Sequence, residues 1–177
     1  MNFITIIDET IYNLIIKMLN INVTAVRMFI SYLGSAVTLI TLSIAFLILL
    51  KNKKNSKFII LNLVLVFILS RILKLIVARP RPQVLKLVLE NGYSFPSGHS
   101  MVSMGFYGFL IYLIYKNIKN KKIKYPLIIF LSLLILLIGV SRIYLGVHYA
   151  TDVIGGFIIG FIYLVVFIKY LYNIKIK

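Results

Sequence analysis

Five apolar runs, at residues 28–50, 58–78, 101–115, 126–140 and 153–168, leave few folds open to this chain. A bilayer core takes about 20 helical residues to cross, and every backbone N–H and C=O inside it must bond within the protein. The first two runs are long enough to span unaided. The last three must borrow flanking residues, among them His99, Ser100, Tyr144 and Asp152, which puts polar side chains at one rim of a bundle. At 61% hydrophobic and a mean hydropathy of +1.01, the chain lies outside the soluble range. The expected fold class is all-α, a polytopic membrane helical bundle of about five spans.

A formal charge of +16 invites a nucleic-acid reading, but its distribution argues against one. Most lysines lie at 51–57, 116–124 and 169–177, after alternate spans, as cytoplasmic loops do under the positive-inside rule. Such clusters also suit anionic headgroups, and no basic stripe with stacking aromatics stands outside this pattern. The absence of cysteine excludes disulfides and thiolate metal sites.

Residues 1–20 carry apolar side chains at 3, 4, 7, 11, 14, 15 and 18, with Asp8, Glu9, Asn13 and Lys17 between them. That is helical period with a polar face, which suits an interfacial helix better than a span. The expected division is an amphipathic helix at 1–24 and a transmembrane domain at 25–177. The segment lacks the basic start and cleavage site of a secretory signal. Asn22-Val23-Thr24 matches a glycosylation pattern that helix capping explains as well.

With the 51–57 loop cytoplasmic, the second span runs outward and carries Arg71, Lys74, Arg79 and Arg81 toward its outer end. An outer loop at 80–98 follows, where Pro80 and Pro82 stop the helix. Lys74, Arg81, His99, Arg142, His148 and Asp152 then all fall at non-cytoplasmic ends. Intramembrane charge is costly and marks function by default.

Pro96-Ser97-Gly98-His99 reads as a turn feeding a helix: Ser97 offers a capping oxygen, and Gly98 admits close approach to backbone N–H groups. The first turn of a helix is a natural anion site. Lys74 and Arg81 are about 10 Å apart if helical, close enough to line one rim, and Arg142 adds a cation from another span. Three cations and a helix N-terminus suit a phosphoryl group better than a carboxylate. Arg79 and Lys86, and Arg71 one turn deeper, read as snorkelling to headgroups, with a supporting role open for Arg71.

His148 and Asp152 are four apart, so a helical segment would put them on one face, with the carboxylate holding one imidazole nitrogen and freeing the other. Taken alone, Asp152 reads equally as a capping residue. His99 supplies a second imidazole, so one histidine can attack while the other protonates the leaving oxygen. Two histidines and one Asp could ligate zinc, but no His-Glu-x-x-His run exists and the cations would repel a metal. Gly155, Gly156 and Gly160 read as close helix contact, span-end aromatics as interfacial anchors, and Glu90 has no assigned role.

Together the polar blocks resemble those of the type 2 phosphatidic acid phosphatase (PAP2) family, which shares its site pattern with vanadium haloperoxidases. Lys-x6-Arg-Pro is matched by Lys74 through Arg81-Pro82, Pro-Ser-Gly-His by Pro96 through His99, and Ser-Arg-x5-His-x3-Asp by Ser141-Arg142 through His148 to Asp152. The resemblance implies a haloperoxidase-like helical core and a metal-independent phosphatase without cofactor. His148 would attack phosphorus to form a phosphohistidine, Asp152 would orient it, and His99 would protonate the departing group. Lys74, Arg81 and Arg142, with Ser97 and the Gly98 backbone, would hold the phosphoryl oxygens. Many bacterial relatives have six spans, one of them before the amphipathic segment at which this chain begins.

The expected partners are the bilayer and a membrane lipid phosphate: undecaprenyl pyrophosphate, phosphatidylglycerol phosphate or phosphatidic acid. An outward-facing site leans toward undecaprenyl pyrophosphate. The expected location is the cell membrane, multi-pass, with the site extracytoplasmic. A lipid phosphotransferase would use the same residues. A non-enzymatic anionic-lipid or anion-binding protein would explain the cations but not the histidines, and vanadate chemistry would call for a soluble or peripheral domain.

Overall fold

Helices dominate the computed structural model, which describes residues 3–17, 21–83 and 87–173. In chain order they are α1 (Phe3–Ile16), α2 (Ile21–Leu33), α3 (Ala36–Leu49), α4 (Lys53–Val77), α5 (Gly98–Asn117), α6 (Lys121–Tyr144) and α7 (Ala150–Val166). A π-helical stretch, Phe167–Tyr172, continues α7. Short polar residues start four of them. Ser35, Asn52, Ser97 and Asn120 each accept a bond from a first-turn N–H, satisfying donors that the helix itself leaves unpaired.

Lys53–Val77, Lys121–Tyr144 and Ala150–Tyr172 are long and apolar enough to cross a membrane. The run expected as one span at 28–50 is broken instead. Thr24–Leu33 and Ala36–Leu49 meet at a 49° bend and qualify as a span only as a broken pair. Gly34 and Ser35 cause the break: a Cβ on Gly34 would lie 2.6 Å from Ile138 and 3.0 Å from Ser103, and Ser35 starts a new helix by capping Thr38. The expected span at 101–115 is α5, 20 residues long, whose serines and glycines lower its apolarity. It needs less, because it is shielded by α4, α6 and α7.

Within a membrane, helices associate through close packing more than through apolar burial, so small residues set the approach. Cβ atoms on Gly156 and Gly160 would come within 2.8 and 2.7 Å of the Ser97 and Met101 carbonyl oxygens. The contact reading of these glycines holds, and it presses α7 onto the first turn of α5. At the far end, Phe58, Phe109, Phe167 and Tyr172 pack edge to face at 5.2–6.3 Å.

Helix α1 lies against α6 and α7, with Ile11 and Ile15 on Ile143, Ala150 and Val153. Its expected polar face is divided: Glu9, Asn13 and Lys17 are exposed, whereas Asp8 is turned inward and buried. Lys86 and the final basic residues lie outside the described residues.

Gly156→Val places side-chain atoms against backbone that cannot move aside. A loss of about 1–3 kcal/mol is expected, read as a lower thermal unfolding midpoint in detergent; an unchanged midpoint would contradict the close-contact role.

Candidate active site

The site forms where four chain segments end at one face of the bundle. Helix α4 supplies Lys74 in its last turn and stops at Ala78, whose φ of 48° is left-handed. The Arg79-Pro80-Arg81-Pro82 segment then cannot return to helix, because each proline lacks an N–H and disfavours helical backbone before it. It carries the two arginines to opposite ends of the His148–Asp152 pair. Lys74 Nζ donates to the carbonyls of Tyr93 (2.8 Å) and Ser94 (3.3 Å), tying α4 to the loop before α5.

Ser97 caps α5 as expected: its Oγ accepts from the Ser100 N–H (3.4 Å) and the Ser100 hydroxyl (2.9 Å). The Ser97 N–H donates to the Asp152 carbonyl at 3.0 Å, joining the start of α5 to the start of α7. His99, in the first turn of α5, is half-buried. Among the described residues it makes no hydrogen bond, so its ring nitrogens remain for a ligand. The first turn of α5 therefore presents N–H donors beside an imidazole.

Arg142, in the last turn of α6, is almost fully buried. It donates to Ser31 of α2 at 2.5 Å and forms an ion pair with Glu90, while its Nε is buried without a partner. A buried guanidinium N–H with no acceptor calls for an anion. Arg81, also buried, donates to the carbonyls of Gly92 (3.0 Å), Asn91 (3.1 Å) and Val147 (2.8 Å), and to Glu90 at 3.4 Å. Burial lowers the Arg81 pKa, with Glu90 and Asp152 acting against that fall.

His148 does not share a helical face with Asp152, because α7 begins only at Ala150. The pair meets through a cap instead: Tyr149 N–H donates to Asp152 Oδ2 at 2.9 Å, turning the carboxylate back over the preceding loop. That oxygen also accepts from the Ser94 hydroxyl and lies 3.5 Å from His148 Nδ1. Ser94 Oγ is 3.4 Å from Nδ1, so one hydroxyl donates to Asp152 and accepts from the imidazole. Nε2 then faces Arg81 Nη1 at 3.4 Å as an acceptor. The tautomer set by these partners is Nδ1–H with the Nε2 lone pair directed at the cations. Burial pushes His148 down to about 4, against the pull of Asp152 and with help from Lys74, Arg81 and Arg142. The imidazole is thus neutral at neutral pH, with its Nε2 lone pair turned toward the cations.

The sequence-level site residues converge, and the structure adds others. Ser94 lies just outside the Pro-Ser-Gly-His block. Glu90, left unassigned, bridges Arg81 and Arg142. Arg79 is not a snorkelling residue: it bonds Asp152 and Asp8, each at 2.7 Å. A sequence signal for these existed. The chain has only four acids, and three of them, Asp8, Glu90 and Asp152, pair with these arginines.

Comparison with known proteins accords with this geometry. The family model of the PAP2 superfamily matches residues 55–176. Phosphatidylglycerophosphatase B of Bacillus subtilis (strain 168) is 39% identical over 94 residues, 52% of this chain and 46% of that protein. The match therefore spans about half the length of that curated relative. A crystal structure of a transmembrane PAP2 type phosphatidylglycerolphosphate phosphatase from Bacillus subtilis superposes with a TM-score of 0.88 at 30% identity, covering 100% of this chain and 89% of the other. Aquifex aeolicus LpxE gives a TM-score of 0.74 at 30% identity, covering 90% and 93%. The chain is a multi-pass membrane protein.

Two outcomes are expected. In histidine-selective ¹⁵N NMR, His148 titrates near pH 4, being neutral above and protonated below; a midpoint at or above 6.5 would contradict its buried setting. Because folding favours the neutral ring, its contribution to stability is complete above pH 6.5 and lost as pH falls through about 4. Second, Glu90→Gln frees Arg81 and Arg142 from an internal carboxylate and tightens binding of inorganic phosphate about fivefold, on the order of 1 kcal/mol. Weaker phosphate binding in calorimetry would mean that Glu90 holds the arginines in place instead.

Proposed function

This chain belongs to the PAP2 superfamily, and from that premise we propose that it is a metal-independent membrane phosphatase whose substrate is a lipid phosphate. The observation that carries the reading is the neutral His148, with Nδ1–H held by Ser94 and Asp152 and Nε2 open toward Arg81. A base with a fixed tautomer and a lone pair aimed into a cluster of cations is a nucleophile for an anionic electrophile. Arg142 Nε and the first-turn N–H groups of α5 would bind the phosphoryl oxygens, together with Lys74 and Arg81. Ser97 supports this group through its own hydroxyl proton, since its oxygen is used in capping.

In the proposed reaction His148 Nε2 forms a bond to phosphorus as the phosphorus–oxygen bond to the leaving group breaks. His99 gives that oxygen its proton. The Nδ1 proton stays on the imidazolium, stabilised by Asp152. Water, deprotonated by His99, then attacks the phosphohistidine, and inorganic phosphate leaves with His148 restored. Charge develops where donors are already fixed, so little reorganisation is needed.

Two of the relatives matched above are named as phosphatidylglycerol phosphate phosphatases, so that lipid is the first substrate to test, ahead of undecaprenyl pyrophosphate and phosphatidic acid. Helices α4 and α6 begin, and α5 ends, at lysine-rich segments opposite the site. With those segments cytoplasmic, the site opens on the extracytoplasmic face.

The test is phosphate release from these three lipids in detergent with EDTA present. His148→Ala is expected to lower kcat by roughly 10³-fold or more, by analogy with the loss of other enzyme nucleophiles. Release that survives in the variant, or that EDTA abolishes, would refute the mechanism.

A further inference from the structure

The catalytic pair is reached from behind by a helix to which the motifs assign nothing. Asp152 is fully buried, and its two oxygens have different tasks. Oδ2 serves Ser94, Tyr149 N–H and His148, whereas among the described residues Oδ1 accepts only from Arg79 Nη1, at 2.7 Å. Without Arg79 that oxygen would be a buried, unmatched half of a charge, and the carboxylate would have no fixed rotation.

Arg79 is itself held on three sides. Nη2 donates to Asp8 at 2.7 Å, Nη1 also donates to Thr151 Oγ1 at 2.8 Å, and the guanidinium stacks 4.0 Å over the Tyr149 ring. Asp8 does a second thing. Tyr149 stands at the N-cap of α7, where residues with a short side-chain oxygen are favoured. Asp8 supplies the missing acceptor from another helix: its Oδ1 takes the Thr151 N–H at 2.9 Å and the Thr151 hydroxyl at 2.9 Å. One carboxylate on α1 thus caps α7 and grips the arginine behind the carboxylate that orients His148. Asp8 is buried, so this is an internal contact and not a solvated surface pair.

We propose that Asp8 and Arg79 are positioning residues, through which α1 fixes the Asp152 carboxylate and so the orientation of His148. The chain of contacts runs from Asp8 to Arg79, to Asp152, and through Ser94 to His148. The N-terminal helix is then part of the machinery and not only a membrane anchor. This inference rests on the reading of His148 as nucleophile.

The experiment uses the full chain in detergent, with wild type and His148→Ala beside Asp8→Asn, Arg79→Gln, Arg79→Lys and the Asp8→Asn/Arg79→Gln double variant. Asn at 8 keeps an oxygen for the Thr151 N–H, so it removes the charge that holds Arg79 while leaving the cap. With phosphatidylglycerol phosphate, Arg79→Gln is expected to lower kcat about 10- to 100-fold, as small misplacements of a reacting group do, with KM nearly unchanged. Arg79→Lys recovers part of the loss. Asp8→Asn lowers kcat less, and adds nothing once Arg79 is gone, because it acts through that residue.

A second readout does not depend on turnover. Loss of the Arg79 charge leaves Asp152 less neutralised, so the His148 titration midpoint rises in Arg79→Gln. Unchanged kcat and an unmoved His148 midpoint in Arg79→Gln, or an Asp8→Asn loss that multiplies fully in the double variant, would overturn the proposal. If wild type and His148→Ala are equally inactive, the phosphatase reading fails instead, and the His148 titration still decides whether Arg79 acts on the pair.

Discussion

A carboxylate buried at the start of a membrane helix is the constraint from which the rest of this site follows. Asp152 has no access to water, and a lone ionised carboxylate in such a place is too costly to persist. The fold surrounds it with a guanidinium, a hydroxyl, a backbone N–H and an imidazole. They come from three segments. Arg79 follows α4, Ser94 lies in the loop before α5, Tyr149 and His148 precede α7, and the Asp152 carbonyl in turn receives the Ser97 N–H at the start of α5. Satisfying one charge therefore fixes the relative positions of the segments that meet at the site.

The bilayer sharpens this economy. In a chain with 20 basic and 4 acidic residues, cations are abundant and carboxylates scarce. Surplus lysines are cheap in water at span ends and costly in lipid, so they collect in the loops at the far side of the bundle. Arg79, Arg81 and Arg142, near the other end, lie where acids or carbonyls meet them. Arg79 is matched by two carboxylates, and burial, which works against its charge, is outweighed so that its pKa rises. Arg81 and Arg142 share the half-exposed Glu90, and Arg142 keeps one N–H unspent. The matched cation serves the architecture, and in the proposed function the incompletely matched ones receive the substrate anion.

Much of this was legible in the sequence. The apolar runs pointed to the class of fold, the lysine clusters marked the end of the bundle opposite the site, and the three polar blocks named the residues that converge. Ser97 capping α5 and the glycines of α7 pressing on it followed from local chemistry alone. What escaped has a common cause: it depends on contacts between segments remote in the chain. The bend at Gly34 and Ser35 is set by Ile138 and Ser103, far along other helices, so an apolar run gave no sign of it. The His148–Asp152 spacing suggested a shared helical face, but spacing cannot tell a helix interior from a cap. Asp8 looked like part of a solvated stripe because Glu9, Asn13 and Lys17 are one, and only the docking of α1 separates it from them.

The two arginines of the Arg-Pro-Arg-Pro segment show how one local rule produces two functions. Proline after each arginine holds the backbone extended, and the left-handed Ala78 aims that segment away from α4. Arg81 therefore reaches Nε2 of His148, at the side where a phosphoryl group would enter, while Arg79 reaches Oδ1 of Asp152 at the opposite side. The cations bracket the pair: Arg81 adds to the burial that keeps the imidazole unprotonated and, in the proposed function, favours the anionic substrate, while Arg79 helps to keep the carboxylate ionised. Were the segment helical, residues two apart would point about 200° apart around an axis and could not follow the pair from end to end. The prolines that end α4 are thus as much a part of the site's electrostatics as the charges they place.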